Sequence, residues 1–383
     1  LIYGADIPYD EEITLERFID KVDDASWSEF MPTDVTKEVF GKFKKYYDED
    51  IFIGAGRRIR NIAREADILE PTERVKKVAS LFSNFKNPDK ETVLTPWRVV
   101  NMHMSDCLGG YDFWDEKHKK ELNEPRFVDR GKVTEETFSN TSSQILEINS
   151  KTGLYPLYVT YIIYRAKCKN YKDDELTLEV ERQLWNETIQ NNVFVICKTP
   201  MAKQITQRTL AGYSNIKINA HYFDDLINQM EHKSKDFVDK VLKPSYWKKG
   251  DIGQMKFDAV VGNPPYQLND GAGGGSAKPI YQYFVESSKK LEPNYISFIM
   301  PARWYVGGKG LDDFRDSMLH DKHIEKIVDF SSSNDCFKGV EIKGGICYFL
   351  RGNQNHEICE IININKNSRS EMRRALLEDG MST

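Results

Sequence analysis

Through residues 1–90, apolar side chains recur three and four positions apart with charged residues between them, the spacing of helices that bury one face. Leu15–Val22, Val35–Tyr47, Arg57–Ala66 and Thr72–Phe85 follow this pattern, and Pro71 ahead of Thr72-Glu73 marks a helix start. Little here reads as strand. Gly54-Ala55-Gly56-Arg57-Arg58 lacks the third glycine and the Lys-Ser/Thr of a phosphate loop, so it is a poor candidate for one. A second organisation begins at Thr95-Pro96-Trp97, where proline stands at a helix start, and residues 111–141 read as loop with short helical pieces.

From Gln144 the pattern changes to strand and helix in alternation, which predicts an α/β fold with a parallel sheet. The expected strands are Ile145–Ile148, Val193–Cys197, Ile216–Asn219, Phe257–Val261, Ile296–Met300, Ile324–Asp329 and Gly345–Leu350. Helical patterns cover Leu157–Ala166, Leu176–Asn191, Met201–Ala211, Tyr281–Leu291 and Leu311–Leu319. The last two strands are joined by a short connection, so the final strand is expected to run antiparallel at the second side of the sheet.

At 383 residues the chain suits one large domain and a smaller one. No apolar run approaches a membrane span and no signal peptide is seen, which argues against a membrane partner. Six cysteines without a C-x-x-C pair suit reduced thiols and a cytoplasmic location, and the histidines form no metal-ligand spacing. A net charge of −5 excludes a large global basic footprint. The start at Leu1 and the charged helix-like end suggest a piece of a longer polypeptide.

Candidate chemistry concentrates in Asn263-Pro264-Pro265-Tyr266, directly after the apolar run Phe257–Val261 and Gly262. In open α/β sheets, ligands bind at the carboxyl ends of strands. Two prolines fix the backbone and remove two N–H donors, leaving carbonyls free to accept from something else. An amide, free carbonyls and an aromatic face would grip a planar group carrying an NH2. The plain alternative is a Pro-Pro turn leaving a strand.

With its flanking motifs, this tetrapeptide resembles that of the gamma-class N6-adenine DNA methyltransferases, particularly the methylase module of single-chain restriction-modification enzymes. The resemblance covers about residues 91–352. It implies a Rossmann-like seven-stranded S-adenosylmethionine-dependent sheet with an antiparallel last strand, preceded by an α-helical region. Domains of 1–90 (helical coupler), 91–365 (methyltransferase) and 366–383 (start of a linker or helix toward a target-recognition domain) follow.

The resemblance also implies residue roles. Asn263, Pro264, Pro265 and Tyr266 would be catalytic, Tyr266 stacking on a flipped adenine, with Phe337 of Asn334-Asp335-Cys336-Phe337 as the second aromatic. S-adenosyl-L-methionine would be held by Thr95, Pro96 and Trp97, by Glu147, Asn149 and Gly153 of Gln144–Gly153, and by Asp224. A helix N-cap is the plain reading of Asp224. Ile299-Met300-Pro301-Ala302-Arg303-Trp304 would shape the pocket floor, with Trp304 as core the alternative. The partners implied are double-stranded DNA and nuclease, helicase and target-recognition domains of the same polypeptide. Gly271–Ser276 would be a flexible loop over DNA.

Two departures stand out. Lys151 replaces a usual glycine in the cofactor loop. The second strand ends Ile196-Cys197-Lys198-Thr199-Pro200, without the acid that usually grips the cofactor ribose. Two other functions therefore remain in view: a protein-glutamine or RNA N-methyltransferase, and a cofactor-free binding module with the same fold.

Overall fold

The computed structural model describes residues 1–32, 34–85, 87, 93–250, 253–268, 277–365 and 368–377. The Gly271–Ser276 stretch lies outside them. The chain forms two compact units and passes between them repeatedly. One comprises Leu1–Trp97, Asn140–Ser142 and Ser150–Asp224; the other comprises Arg98–Ser139, Ser143–Asn149 and Asp225–Thr383.

The first unit begins with helices Leu15–Lys21, Asp24–Phe30, Lys37–Phe43, Glu49–Asp67 and Pro71–Ser83. Each start is fixed by a side chain that accepts backbone N–H groups: Thr14, Asp23, Thr36, Asp48 and Glu70. Asp24–Phe30 was not expected from periodicity. Gly54–Arg58 lies inside the long helix Glu49–Asp67, so it is no phosphate loop. Leu15, Phe18, Trp27, Phe40 and Ala63 share one core with Met201 and Ile205 of the helix Pro200–Ala211. That apolar cluster welds the helical region to the later part of the same unit.

The same unit holds helices Leu154–Cys168 and Leu178–Asn191, and two parallel strands, β2 (Val193–Cys197) and β3 (Asn219–Tyr222). The third strand thus starts at the last residue of the expected Ile216–Asn219. The Gln207 amide group explains the shift: it donates to the Ile216 carbonyl at 2.6 Å and accepts from Ile218 N at 3.4 Å, occupying backbone that a ladder would need.

In the second unit, β1 (Ile145–Ser150, up to Asn149), β4 (Ala259–Gly262), β5 (Tyr295–Pro301), β6 (Ile324–Phe330), β7 (Ile346–Arg351), β8 (Cys359–Asn365) and β9 (Ser368–Arg374) form a mostly parallel core with antiparallel additions. Their order is β9-β8-β6-β7-β5-β4-β1. Two expectations are corrected. First, the antiparallel strand β7 is inserted between β5 and β6 instead of lying at the side of the sheet. Its residues Ile346–Leu350 are buried, as an interior strand covered on both faces requires.

Second, the sheet does not stop at a seventh strand. β8 pairs parallel with β6, and β9 pairs antiparallel with β8, where the start of a linker or helix was expected over 366–383. Ser368–Arg374 reads as helix because it carries three arginines and Glu371, but the open edge of β8 captures it as a strand, matching Ile361 to Met372. Exposed charges along that strand are a common way to blunt a sheet edge.

Residues 111–141, expected as loop, contain an antiparallel pair, Gly110–Trp114 with Glu121–Val128, followed by the short helix Lys132–Thr134. Buried Asp112 ties that pair together by accepting from His118 at 2.9 Å and Arg126 at 2.7 Å. Among the described residues, no helix is long and apolar enough to cross a membrane.

Candidate active site

The tetrapeptide leaves the carboxyl end of β4, where the apolar run Ala259–Val261 is wholly buried. Gly262 ends the strand with φ +150°, and a Cβ there would stand 2.7 Å from the Ile148 carbonyl oxygen. Only glycine lets β4 lie this close to β1 at the point where the chain turns out of the sheet. Glu147, opposite Val261 in the ladder, is buried on β1 beside this exit.

Asn149 adopts φ +73°, a left-handed conformation that asparagine tolerates better than most residues. It is buried, and its Nδ2 donates to the backbone carbonyl of Asn263 at 2.8 Å. The Asn149 Oδ1, also buried, has no hydrogen-bond partner among the described residues. The carbonyl of Asn263 is therefore engaged, whereas no hydrogen bond to the Pro264 carbonyl occurs among the described residues.

Asn263, Pro264 and Tyr266 are buried and Pro265 is half-buried. Burial pushes the Tyr266 phenol well above its usual pKa, opposed by the neighbouring Asn263 side chain. Tyr266 stays neutral, with its ring held edge-on against Phe337 (centroids 6.4 Å apart, planes at 64°). Past Tyr266, Gln267–Leu268 pairs with Lys278–Pro279, and Ile280 N donates back to the Tyr266 carbonyl at 3.2 Å.

Phe337 is positioned by the turn that follows β6. Ser333 ties that turn together: its carbonyl accepts from Phe337 N at 2.7 Å, its hydroxyl donates to the Val340 carbonyl at 2.7 Å and accepts from Ile342 N at 3.0 Å. The Arg98 guanidinium clamps the Asp335 carbonyl two residues before Phe337. Phe337 is 0% exposed, so both faces of its ring are covered and its direct neighbour is Tyr266. The pair is brought together as expected, but Phe337 stands as a wall behind Tyr266, not as an open stacking face.

The exit of β5 carries Arg303 and Trp304 of the expected pocket floor, and beside them Tyr305 and Asp329, which sequence reasoning left unassigned. Trp304 is core, its indole N–H donating to Cys347 Sγ at 3.4 Å. At the end of β6, burial raises the Asp329 carboxyl to about 6, opposed by the nearby Tyr305 phenol. The Arg303 Nε is buried without a hydrogen-bond partner among the described residues. An isolated tyrosine or acid carries no motif, so Tyr305 and Asp329 were not visible in the chain.

The remaining expected residues belong to the first unit. Thr95 and Trp97 are buried and Pro96 is exposed at the start of the helix Trp97–Cys107, with the Trp97 ring tilted against Tyr158 at 6.1 Å. Gly153 has φ +75°, and a Cβ there would meet the Thr206 backbone at 3.0 Å. The loop is tied to the helix Pro200–Ala211 by Thr209 donating to the Thr152 carbonyl (2.7 Å) and by the Ser150–Thr206 hydroxyl pair (3.1 Å). Asp224 is exposed after β3, and the N-cap of the next helix is Asp225, not Asp224.

At the end of β2 the position of the usual acid is Cys197, wholly buried. Thr199 caps the following helix by accepting from Ala202 N, and its hydroxyl donates to Glu29 Oε2. Burial raises the Glu29 pKa, opposed by the charges of Lys198 and Lys151 and by the Thr199 bond. Sequence reasoning missed Glu29, which lies 170 positions from its partner and carries no local signal.

Residues 191–337, from the start of β2 through the tetrapeptide to Phe337, match the family described as Eco57I restriction-modification methylase. Over 154 residues the chain is 45% identical to a protein of Mycoplasma pneumoniae (strain ATCC 29342 / M129 / Subtype 1) named "Uncharacterized adenine-specific methylase". That match covers 39% of this chain and 34% of the relative, so the chain spans about a third of the protein it resembles. Among solved structures, one from a study of complex assembly and conformational transition of the type I restriction-modification system is similar over 95% of this chain and 64% of its own (12% identity, TM-score 0.48). The type I methyltransferase subunit from Streptococcus thermophilus is similar over 77% and 51% (11% identity, TM-score 0.42).

An S-adenosyl group would meet an open acceptor at the end of β1, where buried Asn149 Oδ1 is still to be satisfied.

Proposed function

We propose that this chain is the methylase module of a gamma-class, single-chain restriction-modification enzyme and methylates N6 of an adenine in double-stranded DNA. What supports this reading above all is the Asn149–Asn263 bond within a strand exit that lies in the matched stretch. That bond occupies the Asn263 carbonyl and fixes the backbone from which the Asn263 side chain and the Pro264 carbonyl would meet an incoming amine.

The adenine amine is a poor nucleophile because its lone pair is delocalised into the ring. Asn263 Oδ1 and the Pro264 carbonyl would accept its two hydrogens and draw the nitrogen toward tetrahedral geometry, fixing the lone pair in one direction. Pro264 and Pro265 keep those acceptors in place because their φ angles cannot relax. Tyr266 would stack on the base, with Phe337 bracing its ring from behind. Because the amine is inaccessible inside a duplex, the base must be flipped out.

S-adenosyl-L-methionine supplies an electrophilic methyl on its sulfonium, to be held by Thr95, Pro96, Trp97, Glu147, Asn149, Gly153 and Asp224. Asn263 and Pro264 would hold N6 in line with that methyl, the sulfur keeping the electron pair as leaving group. One N6 proton then leaves, first toward the Asn263 and Pro264 acceptors and finally to water. Nuclease, helicase and target-recognition domains in the same polypeptide, and a cytoplasmic location, belong to this reading.

The test is to incubate the protein with DNA and tritiated S-adenosylmethionine and identify the labelled base. Label on N6-methyladenine is the expected result. Label on added protein or RNA substrates but not on DNA would move the assignment to another amine or amide acceptor. Absence of both transfer and calorimetric heat with the cofactor would leave a binding module.

A further inference from the structure

The reading above leaves the cofactor ribose without its usual acid, since the second strand ends in Cys197. Resting on that reading, we propose that Glu29, from the helix Asp24–Phe30, supplies the missing carboxylate and accepts hydrogen bonds from the ribose hydroxyls of the bound S-adenosyl group. The acid would thus come from the N-terminal helical region instead of the strand.

Glu29 is at the right place. Its Oε2 accepts from Thr199, two residues beyond Cys197 and at the N-cap of the helix that follows β2. Its backbone is rigidly held, because Trp27 on the same helix lies in the apolar core and donates its indole N–H to the Val35 carbonyl at 2.7 Å. Asp23 caps the helix by accepting from Ser26 N at 2.9 Å.

The second observation is chemical. Glu29 is 2% exposed, and its Oε1 is buried with no hydrogen-bond partner among the described residues. A buried carboxylate oxygen left unsatisfied is costly, so a missing donor is expected there. A role in helix docking accounts for Oε2 only. Docking is already served by Ser26, whose hydroxyl accepts from Met201 N at 3.1 Å. Lys198 and Lys151 stand near enough to favour the ionised, acceptor-only carboxylate against its burial. Lys151, which looked like a defect in the cofactor loop, thereby has a use.

The experiment measures binding by calorimetry, with S-adenosylhomocysteine and its 2′,3′-dideoxyribose analogue as the two probes. The wild-type chain should bind the analogue roughly 10- to 100-fold more weakly, the range of hydrogen bonds to a charged acceptor. Glu29→Ala should lose about the same factor for the parent compound and bind the two probes within about twofold of each other. Glu29→Gln, which keeps the shape and an acceptor, should fall between. If the wild type binds both probes alike, the inference is overturned, and this holds even where Glu29→Ala does not fold. Undiminished discrimination in Glu29→Ala or in Glu29→Gln also overturns it, while intact binding of the parent leaves the methyltransferase reading standing. No binding of either probe by the wild type overturns both.

Discussion

The Asn149 side chain donates to the backbone carbonyl of Asn263 over 2.8 Å, linking the strand of the proposed cofactor loop to the strand that delivers the tetrapeptide. Two properties of Asn149 are used at once: an amide that can donate, and tolerance of φ +73°. Substitution can separate them. Asn149→Gly keeps the backbone freedom and loses the bond, leaving a buried carbonyl unsatisfied at about 1–3 kcal/mol. Asn149→Ala loses the bond and adds left-handed strain of roughly 1–2 kcal/mol. Urea denaturation should therefore rank wild type above Gly above Ala. Equal stability of the Gly variant and wild type would show that the bond does not hold the tetrapeptide.

The proposed chemistry asks Asn263 to accept from an amine. Asn263→Ala removes the acceptor and should lower transfer to DNA by at least about 100-fold, the scale seen when one preorganised polar group is lost from a transition-state site. Asn263→Asp keeps an acceptor of nearly the same shape and should retain measurable transfer. Cofactor affinity should stay within a few fold in both, because this side chain serves the base. Filter-binding assays with labelled DNA, run beside cofactor titrations, check both halves. A full loss of cofactor binding in Asn263→Ala would reassign the residue.

The edge-on contact of Tyr266 with Phe337 gives the stacking hypothesis a measurable form. Tyr266→Phe keeps a ring and should preserve most base stacking; Tyr266→Ala should lose roughly 1–3 kcal/mol in binding DNA that carries an extruded base. Phe337→Leu should act less directly, loosening the Tyr266 ring. A double-mutant cycle on stability should show the two coupled by about 0.5–1.5 kcal/mol, the range for aromatic pairs. Strict additivity would mean that Phe337 packs in the core without bracing Tyr266.

What could be read from the chain, and what could not, divides along physical lines. Phe257–Val261 is a buried apolar run, and Asn263-Pro264-Pro265-Tyr266 is chemically unusual, so strand and motif announce themselves locally. The place of β7 between β5 and β6 is different: a short connection fixes direction but not which neighbour still has an open edge. β9 was misread because its three arginines and Glu371 suit a helix, and only pairing with β8 overrides that preference. Glu29 is the extreme case. Its environment is built from Thr199, Lys198 and Lys151, and nothing near it in sequence distinguishes it from any other surface-helix glutamate.

Asp329 offers a test through pH. It is half-buried at the end of β6, and burial raises its carboxyl to about 6, opposed by the nearby Tyr305 phenol. In the unfolded chain the group titrates near the ordinary value of about 3.9. Between those values the folded chain holds a proton that the unfolded chain has released, so stability falls as pH rises through this window. Above the folded pKa the full penalty is present. About two pKa units set a ceiling of roughly 3 kcal/mol, reduced because the group is only half-buried. Asp329→Asn removes the charge while keeping nearly the same shape. The variant should be more stable than wild type by about 1–3 kcal/mol at pH 8, with that advantage about halved at pH 5. Urea melts at the two pH values decide it: an advantage that does not shrink on acidification would mean that Asp329 is already ionised without cost.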